Sequence, residues 1–269
     1  MGVVVSVGGQ MPNNIALKLT KLGVRLLGTP AESIDSAEDR SKFSRLLEEL
    51  GIPQPEWSEL TALEGALKFA DEIGYPVLVR PSYVLSGSGM KIAYSRKELK
   101  NYLELAAKVS PEHPVVISKF IKDAREVDVD GVSDGEEVFI GAIIEHVENA
   151  GVHSGDSIMC IPPQTIPKDV LQKIEDYTER IAKSLKIRGP FNIQYISKNG
   201  EVYVIECNLR ASRSMPFVSK TIGINLMELS TLAMLGRKFK ESGICRQEKI
   251  SHVGVKVPQF SFMRLNGAD

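Results

Sequence analysis

The sequence predicts a mixed α/β protein, with α+β character over most of its length, and three observations carry the prediction. Near the N-terminus a β-branched run ends in a glycine turn and leads into a helical pattern. Farther on, strands of period two recur in pairs joined by turn dipeptides. Amphipathic helical stretches separate these strand pairs.

Val3 to Val7 reads as a buried strand running into Gly8-Gly9-Gln10. A helix over about Asn13 to Leu22 and a short strand over 24–27 complete an α/β unit whose strands should pair in parallel. Ser36-Ala-Glu-Asp39 opens a helix carrying Leu46, Leu47 and Leu50 on its apolar side, and Gly51 ends it. Ile52-Pro-Gln-Pro55 reads as a linker, followed by an amphipathic helix from Thr61 to Ile73. Tyr75 to Arg80 is a short strand that enters the Gly/Ser-rich stretch Pro81 to Met90. Lys91 to Tyr94 is a strand, Arg96 to Val109 a helix and Val115 to Lys119 a strand. Glu126 to Val132 alternates strictly, Val138 to Glu145 is its more apolar partner, and Asp134-Gly135 marks the turn between them. Pro167 to Leu185 is a strong amphipathic helix, and Asn225 to Leu235 a last one.

The most informative segment is the hairpin between Gly189 and Arg210. On its first arm Asn192, Gln194 and Ile196 share a face. On its second arm Val204, Glu206 and Asn208 share a face, with Tyr203, Ile205 and Cys207 on the other. The turn holds Asn199-Gly200. A three-residue loop, Lys198 to Gly200, sets Ser197 opposite Glu201 and Asn192 opposite Glu206, and gathers Gln194, Glu206 and Asn208 on one side. A two-residue loop turns Gln194 away from them. Oxygen-only ligands of this kind suit a hard cation that keeps waters and bridges to phosphates, which means Mg²⁺. Arg210 and Arg213 follow as anion clamps. A half-exposed polar sheet face is the plain alternative.

Composition excludes several classes. Lys+Arg 33 against Asp+Glu 34 gives no general field for nucleic acid or a membrane surface. No apolar run reaches the length of a bilayer span. Cys160, Cys207 and Cys245 form neither a disulfide framework nor a zinc pattern, and a reducing, cytoplasmic setting is expected. Met-Gly-Val-Val-Val-Ser fits the loose N-myristoylation pattern, but the run reads as a strand.

Other polar segments have two readings. The stretch after Arg80 resembles a phosphate cradle, yet it lacks the Gly-Lys-Ser/Thr end of a Walker loop and equally suits a flexible hairpin loop. Glu126, Asp128 and Asp130 on one strand face need solvent, a cation or a ribose. Ala150-Gly-Val-His153-Ser-Gly-Asp156 is a tight polar loop whose glycines allow close approach of a ligand, although a lone loop histidine is more often structural. Cys207 reads as a small core residue rather than a nucleophile.

Taken in order, these segments resemble the ATP-grasp fold, and within it the large-subunit or synthetase region of carbamoyl-phosphate synthetase. Gly8-Gly-Gln10, Ala37-Glu-Asp-Arg40, Arg80-Pro-Ser-Tyr-Val-Leu-Ser-Gly87, Glu126-Val-Asp-Val-Asp130, Glu145 to Asp156, Glu206-Cys-Asn-Leu-Arg210 and Pro216-Phe-Val-Ser-Lys220 carry the resemblance, which covers nearly the whole chain. Arg80-Pro-Ser-Tyr-Val and Gly151-Val-His-Ser-Gly-Asp look like the second, carbamate-phosphorylating half, and the closing Val253 to Phe262 stretch looks most like the multifunctional pyrimidine-pathway enzyme of eukaryotes.

The resemblance implies two α+β subdomains clasping ATP, preceded by a truncated pre-ATP-grasp α/β unit: residues 1–54, then 55–120 with the glycine loop, then 121–269 with the metal site. It implies ATP with Mg²⁺ or Mn²⁺ as cofactors and carbamate as substrate, in a pyrimidine or arginine pathway. By matching position Arg40 and Arg80 touch phosphates, Lys119 to Ile121 lie beside adenine, and Glu126 holds the ribose. Gly151, Val152, His153 and Ser154 line the nucleotide. Gln194 and Glu206 contact it through the cation that Gln194, Glu206 and Asn208 ligate. Arg210 and Arg213, with His153 nearby, serve the transferring phosphoryl group. The other synthetase half, the glutaminase and the allosteric domain are absent from the chain, which is expected to be a fragment or one part of a split gene. Another ATP-grasp carboxylate ligase, or a nucleotide-binding fragment without its own activity, are the rival readings.

Overall fold

The structure, a computed structural model, describes residues 1–81, 90–109, 115–152, 155–241 and 250–259. The chain divides into two compact units, Gln54–Ala124 on its own and Met1–Pro53 together with Arg125–Asp269.

The first element is a two-residue strand, β1 (Val3–Val4), followed by α1 (Gln10–Asn14), α2 (Ala16–Lys21) and β2 (Leu26–Leu27). β1 pairs with β2 in parallel, as read from the sequence. The strand over 3–7 is shorter than expected and not buried throughout: Val5 is in the core, whereas Val3 and Val7 are exposed. The helix expected over 13–22 is broken at Ile15 into α1 and α2. A helix not anticipated, α3 (Ala31–Glu38), precedes α4 (Arg40–Glu49). The capping signal belongs to α4, whose N-cap is Asp39, with its carboxylate accepting from the Lys42 amide at 2.9 Å. Gly51, at φ 62, ends α4 in the left-handed region.

The Gln54–Ala124 unit contains β3 (Trp57–Leu60), α5 (Leu63–Ile73), β4 (Val77–Pro81), β5 (Lys91–Ala93), α6 (Arg96–Val109) and β6 (Val115–Lys119). Its sheet is antiparallel in the order β3-β6-β4-β5. Ala66, Leu67 and Ala70 of α5 and Leu99 and Leu103 of α6 pack on Val77, Val79 and Ile117. The bounds of α6 and β6 are those the sequence gives; β3 was not foreseen.

The larger unit is built on β7 (Arg125–Asp134), β8 (Val138–Asn149), β9 (Met159–Ile161), α7 (Lys168–Ser184), β10 (Arg188–Lys198), β11 (Glu201–Asn208), α8 (Met215–Ile222), α9 (Leu226–Met234) and β12 (Gly254–Lys256). The six strands form an antiparallel sheet in the order β11-β10-β7-β8-β9-β12. One face packs Val127, Val129, Phe191, Ile193 and Tyr195 against α3, α4 and α7. The other is divided. Val132, Ala142 and Ile144 lie under α8 and α9, while Glu126, Asp128 and Asp130 hold the rest of that β7 face, because side chains two apart share a side.

The β10–β11 hairpin corrects the loop length. Lys198 pairs with Glu201, so the loop is two residues, Asn199 and Gly200, both with positive φ (53 and 82). That is the type I′ geometry favoured by Asn-Gly. The register then shifts between Gln194 and Tyr195: Tyr195 pairs with Val204 but Gln194 with Glu206, leaving Ile205 as a bulge. Val204 therefore faces the core with Cys207, contrary to strict alternation, and both are buried.

Gly131 sits where the ring of Phe191 crosses β7. A Cβ there would stand 2.4 Å from Phe191 Cζ and 2.9 Å from the Phe139 carbonyl. Gly131→Ala is expected to cost about 1–3 kcal/mol through overpacking. A lowered urea midpoint with unchanged slope checks this; an unshifted midpoint contradicts it.

Candidate functional site

The bulge at Ile205 decides which side chains meet. Its backbone is held on both sides: the Val204 amide donates to the Pro53 carbonyl at 2.9 Å, and Arg40 Nη1 donates to the Ile205 carbonyl at 3.3 Å. Beyond the bulge Gln194 lies opposite Glu206 and Asn192 opposite Asn208. Gln194, Glu206 and Asn208 therefore share one face despite the two-residue loop.

These three line one cleft of about 120 Å³ together with Asp128, Asn192, Arg210, Ser212, Arg213 and Ser214. Asn208 Nδ2 donates to Glu206 Oε1 at 2.9 Å, and Arg210 Nη2 donates to Asn208 Oδ1 at 3.2 Å. Arg210 Nε donates to Gln10 Oε1 at 3.1 Å, and Gln10 Nε2 donates to Glu38 Oε1 at 2.6 Å. The glycine turn before Gln10 thus delivers the brace that aims Arg210 along the cleft. Burial raises the Glu38 carboxyl, opposed by the hydrogen bonds of Gln10 and Asn13 and by the charge of Arg210. Arg213 is exposed at the mouth.

On β7, Glu126, Asp128 and His146 of β8 bring one ligand-capable atom each to within 4.8 Å of one another. Asp128 and His146 are each 1 % exposed. His146 Nε2 lies 3.5 Å from Asp128 Oδ2, but the alignment makes no hydrogen bond, and Asp128 Oδ1 also has no partner. Burial opposes a charged His146 ring, but the Asp128 carboxylate and then Glu126 outweigh it, so its affinity for a proton is raised. Burial pushes the Glu126 carboxyl up to about 7, against the charge of His146, and with Asp128 adding to the rise. Glu126 Oε2 also accepts from the Gly151 amide at 3.4 Å. Burial pushes Asp130 up to about 6, against hydrogen bonds from Ser214, Ser212 and Asn192.

The remaining expected residues are less concentrated. Val152 is exposed beside Gly151. His153 and Ser154, and the Gly/Ser loop over 82–89, lie outside the described residues. Arg80, Lys119 and Ile121 belong to the Gln54–Ala124 unit. Arg80 Nε donates to Met90 Sδ at 3.3 Å. Lys119 Nζ donates to the Ile73 and Gly74 carbonyls at the end of α5, so its amine caps a helix. Cys207 is buried, and burial then Glu206 push its thiol far up, which disfavours a nucleophile. Sequence reasoning passed over Asn192, Ser212, Ser214, His146 and Gln10. Asn192 stood in the same alternation as Gln194, and Gln10 and His146 in quoted motifs; Ser212 and Ser214 carried no local signal.

A cation is tested against this chemistry. Gln194, Glu206 and Asn208 offer only amide and carboxylate oxygens, which fit a hard divalent ion. Seating one between Glu206 and Asn208 requires the Asn208 amide to turn, since its nitrogen now faces Glu206.

Comparison with known proteins follows the same lines. A family model described as "Carbamoyl-phosphate synthase L chain, ATP binding domain" matches residues 39–242. The multifunctional protein pyrABCN of Emericella nidulans is 54% identical over 268 residues, covering 100% of this chain and 12% of that protein. The mitochondrial arginine-specific carbamoyl phosphate synthase large chain of Neurospora crassa is 51% identical over 275 residues, covering 100% of this chain and 24% of that one. This chain thus spans a small part of the relatives it matches. Among solved structures, the biotin carboxylase domain of Hydrogenobacter thermophilus 2-oxoglutarate carboxylase, solved with MgADP, ADP and bicarbonate, superposes with a TM-score of 0.73 at 19% identity, over 88% of this chain and 53% of that one. The fold is the expected ATP-grasp type. No helix among the described residues is long and apolar enough to cross a membrane.

Glu126 supplies a pH test. Its folded-state value, about 7, exceeds the ordinary 4.5, so the folded state keeps a proton that the unfolded chain releases. Its contribution to stability is intact below pH 4.5 and lost as the pH rises through 7. Glu126→Gln removes this loss. The melting-temperature difference, variant minus parent, is expected near zero at pH 4.5 and positive above pH 7. The gain corresponds to about 1–2 kcal/mol after discount for solvent screening. A difference that does not vary with pH contradicts the assignment.

Proposed function

The chain belongs to the family of the carbamoyl-phosphate synthase L chain, ATP binding domain, and from that premise we propose that it binds MgATP and phosphorylates carbamate to carbamoyl phosphate. The observation that carries this reading is the shared face of Gln194, Glu206 and Asn208 with Arg210 and Arg213 beside it in one cleft.

In the proposed reaction a carbamate oxygen attacks the γ-phosphorus. An O–P bond forms, the bond to the β,γ-bridging oxygen breaks, and ADP leaves with that electron pair. No covalent enzyme intermediate is needed, so catalysis rests on positioning and charge neutralisation. When bound, Mg²⁺, or Mn²⁺ in its place, supplies positive charge to the phosphate oxygens. Gln194, Glu206 and Asn208 hold it. Arg210, fixed at Nε by Gln10, keeps its guanidinium beside Asn208, where it faces the transferring group. Arg213 adds charge at the mouth, and Glu126 serves the ribose. Arg40 and Arg80 serve phosphates, and Gly151, Val152, His153 and Ser154 line the nucleotide. The adenine contact at Lys119 to Ile121 falls to the main chain, because the Lys119 amine is used on α5.

We keep residues 1–54, 55–120 and 121–269 as the proposed functional division. The proposed partners in the longer protein are a second synthetase half, a glutaminase and an allosteric domain, with a pyrimidine or arginine pathway as destination. A cytoplasmic, reducing setting is kept as well, in accord with the free, buried Cys160 and Cys207.

Glu206→Gln keeps shape and loses charge. Formation of ATP from ADP and carbamoyl phosphate is expected to fall about 10²–10³-fold, the loss seen for one preorganised electrostatic group. Affinity for ADP measured without metal is expected to stay within about threefold, about 0.6 kcal/mol. Near-normal ATP formation by the variant contradicts a metal role for Glu206. Nucleotide binding by the parent chain with no phosphoryl transfer points instead to a binding module.

A further inference from the structure

Asp130 is the most deeply placed acid of the sheet face that carries the site, at 0 % exposure. The same face of β7 continues two residues on with Val132, in the apolar cluster beneath α8 and α9. An aliphatic side chain at Asp130 would extend that cluster, and a buried carboxylate is costly unless its oxygens are satisfied. Both are. Oδ1 accepts from Asn192 Nδ2 at 3.0 Å, and Oδ2 accepts from Ser214 Oγ at 2.6 Å.

The two partners lead to different parts of the cleft. Asn192 lies beside the proposed cation ligand Asn208: its Oδ1 accepts from Asn208 Nδ2 at 3.5 Å, a bond released when the Asn208 amide turns Oδ1 to a cation, while Asn192 itself stays fixed on Asp130. Ser214 shares a hydrogen bond with Ser212 at 3.1 Å, and Ser212 Oγ accepts from the Met215 amide at 3.0 Å, closing the turn that presents Arg213 at the start of α8. One carboxylate thus ties a strand end and an arginine turn that are not neighbours in sequence.

We propose that Asp130 is a positioning residue for phosphoryl transfer, fixing Asn192 beside the cation ligand Asn208 and the Arg213 turn through Ser214 in one arrangement. The inference rests on the reading of the cleft as a metal–nucleotide site. It touches no substrate in this role. A residue that merely fills the core would be replaceable by one of similar size, whereas a positioning residue is replaceable only by one that keeps the hydrogen bonds. Leucine keeps the branched outline and removes both bonds, with a larger volume whose packing effect the melt reports. Asparagine keeps them, with its oxygen accepting from Asn192 and its nitrogen donating to Ser214 Oγ, since a hydroxyl also accepts.

The test uses ADP as probe and calorimetric titration with Mg²⁺ and with EDTA, which gives the metal-dependent gain in affinity for each protein. Asp130→Leu is expected to lose at least tenfold of that gain while keeping a cooperative melt, and Asp130→Asn to retain it within about threefold, or 0.6 kcal/mol. A folded Asp130→Leu protein with the parent's gain overturns the proposal. So does an Asp130→Asn protein that loses as much as Asp130→Leu. Should Asp130→Leu fail to fold, Ser214→Ala and Ser214→Thr take its place: the alanine variant is expected to lose part of the gain and the threonine variant to keep it, and equal gains in the two overturn the proposal. A parent chain whose affinity for ADP does not respond to Mg²⁺ refutes the reading of the cleft itself, and this inference with it.

Discussion

Ile205, the extra residue in β11, determines which way Gln194, Glu206 and Asn208 face. Asn199-Gly200 closes the hairpin in two residues, and an unbroken ladder from that turn would send Gln194 to one side and Glu206 to the other. The bulge shifts the phase by one residue. Val202 and Val204 enter the core before it, and Cys207 after it, while Glu206 and Asn208 stay on the polar side. The bulged backbone does not lack partners, because Pro53 accepts from Val204 and Arg40 donates to Ile205. Residues 1–53 therefore contribute to the site twice: they pin the bulge, and through Gln10 they brace Arg210.

The same sheet face meets two opposing demands. Under α8 and α9 it is apolar, and beside them it carries Glu126, Asp128, Asp130, Asn192 and Gln194. Burial raises the carboxyls of Glu126, to about 7, and Asp130, to about 6, and the charge of Asp128 between them adds to both. Asp128, between them on β7, lines the same cleft as Arg210 and Arg213.

The long helical patterns were the most legible. The amphipathic repeat of α7 runs 17 residues and α6 runs 14, so each stands out from its flanks. Asn225 announced α9, and it accepts from the Met227 and Glu228 amides. By contrast α3 and α8 have eight residues each, and β9 and β12 have three. Elements of that length owe their form to tertiary packing rather than propensity. In the site, alternation alone placed Gln194, Glu206 and Asn208 together, but through the wrong loop; turn and bulge offset each other, and neither is visible in a period of two. Asp130 to Ser214 spans 84 positions and Gln10 to Arg210 spans 200, so no local pattern could join them.

The central claim is that Gln194, Glu206 and Asn208 hold the divalent cation. Crystals of this chain grown with ADP and Mn²⁺, measured for anomalous scattering at the manganese edge, test it most directly. A peak bracketed by the side-chain oxygens of these three residues is expected, with the Asn208 amide turned to present Oδ1. A peak seated instead among Glu126, Asp128 and His146, with Glu206 still bonded to Asn208 Nδ2, would contradict it.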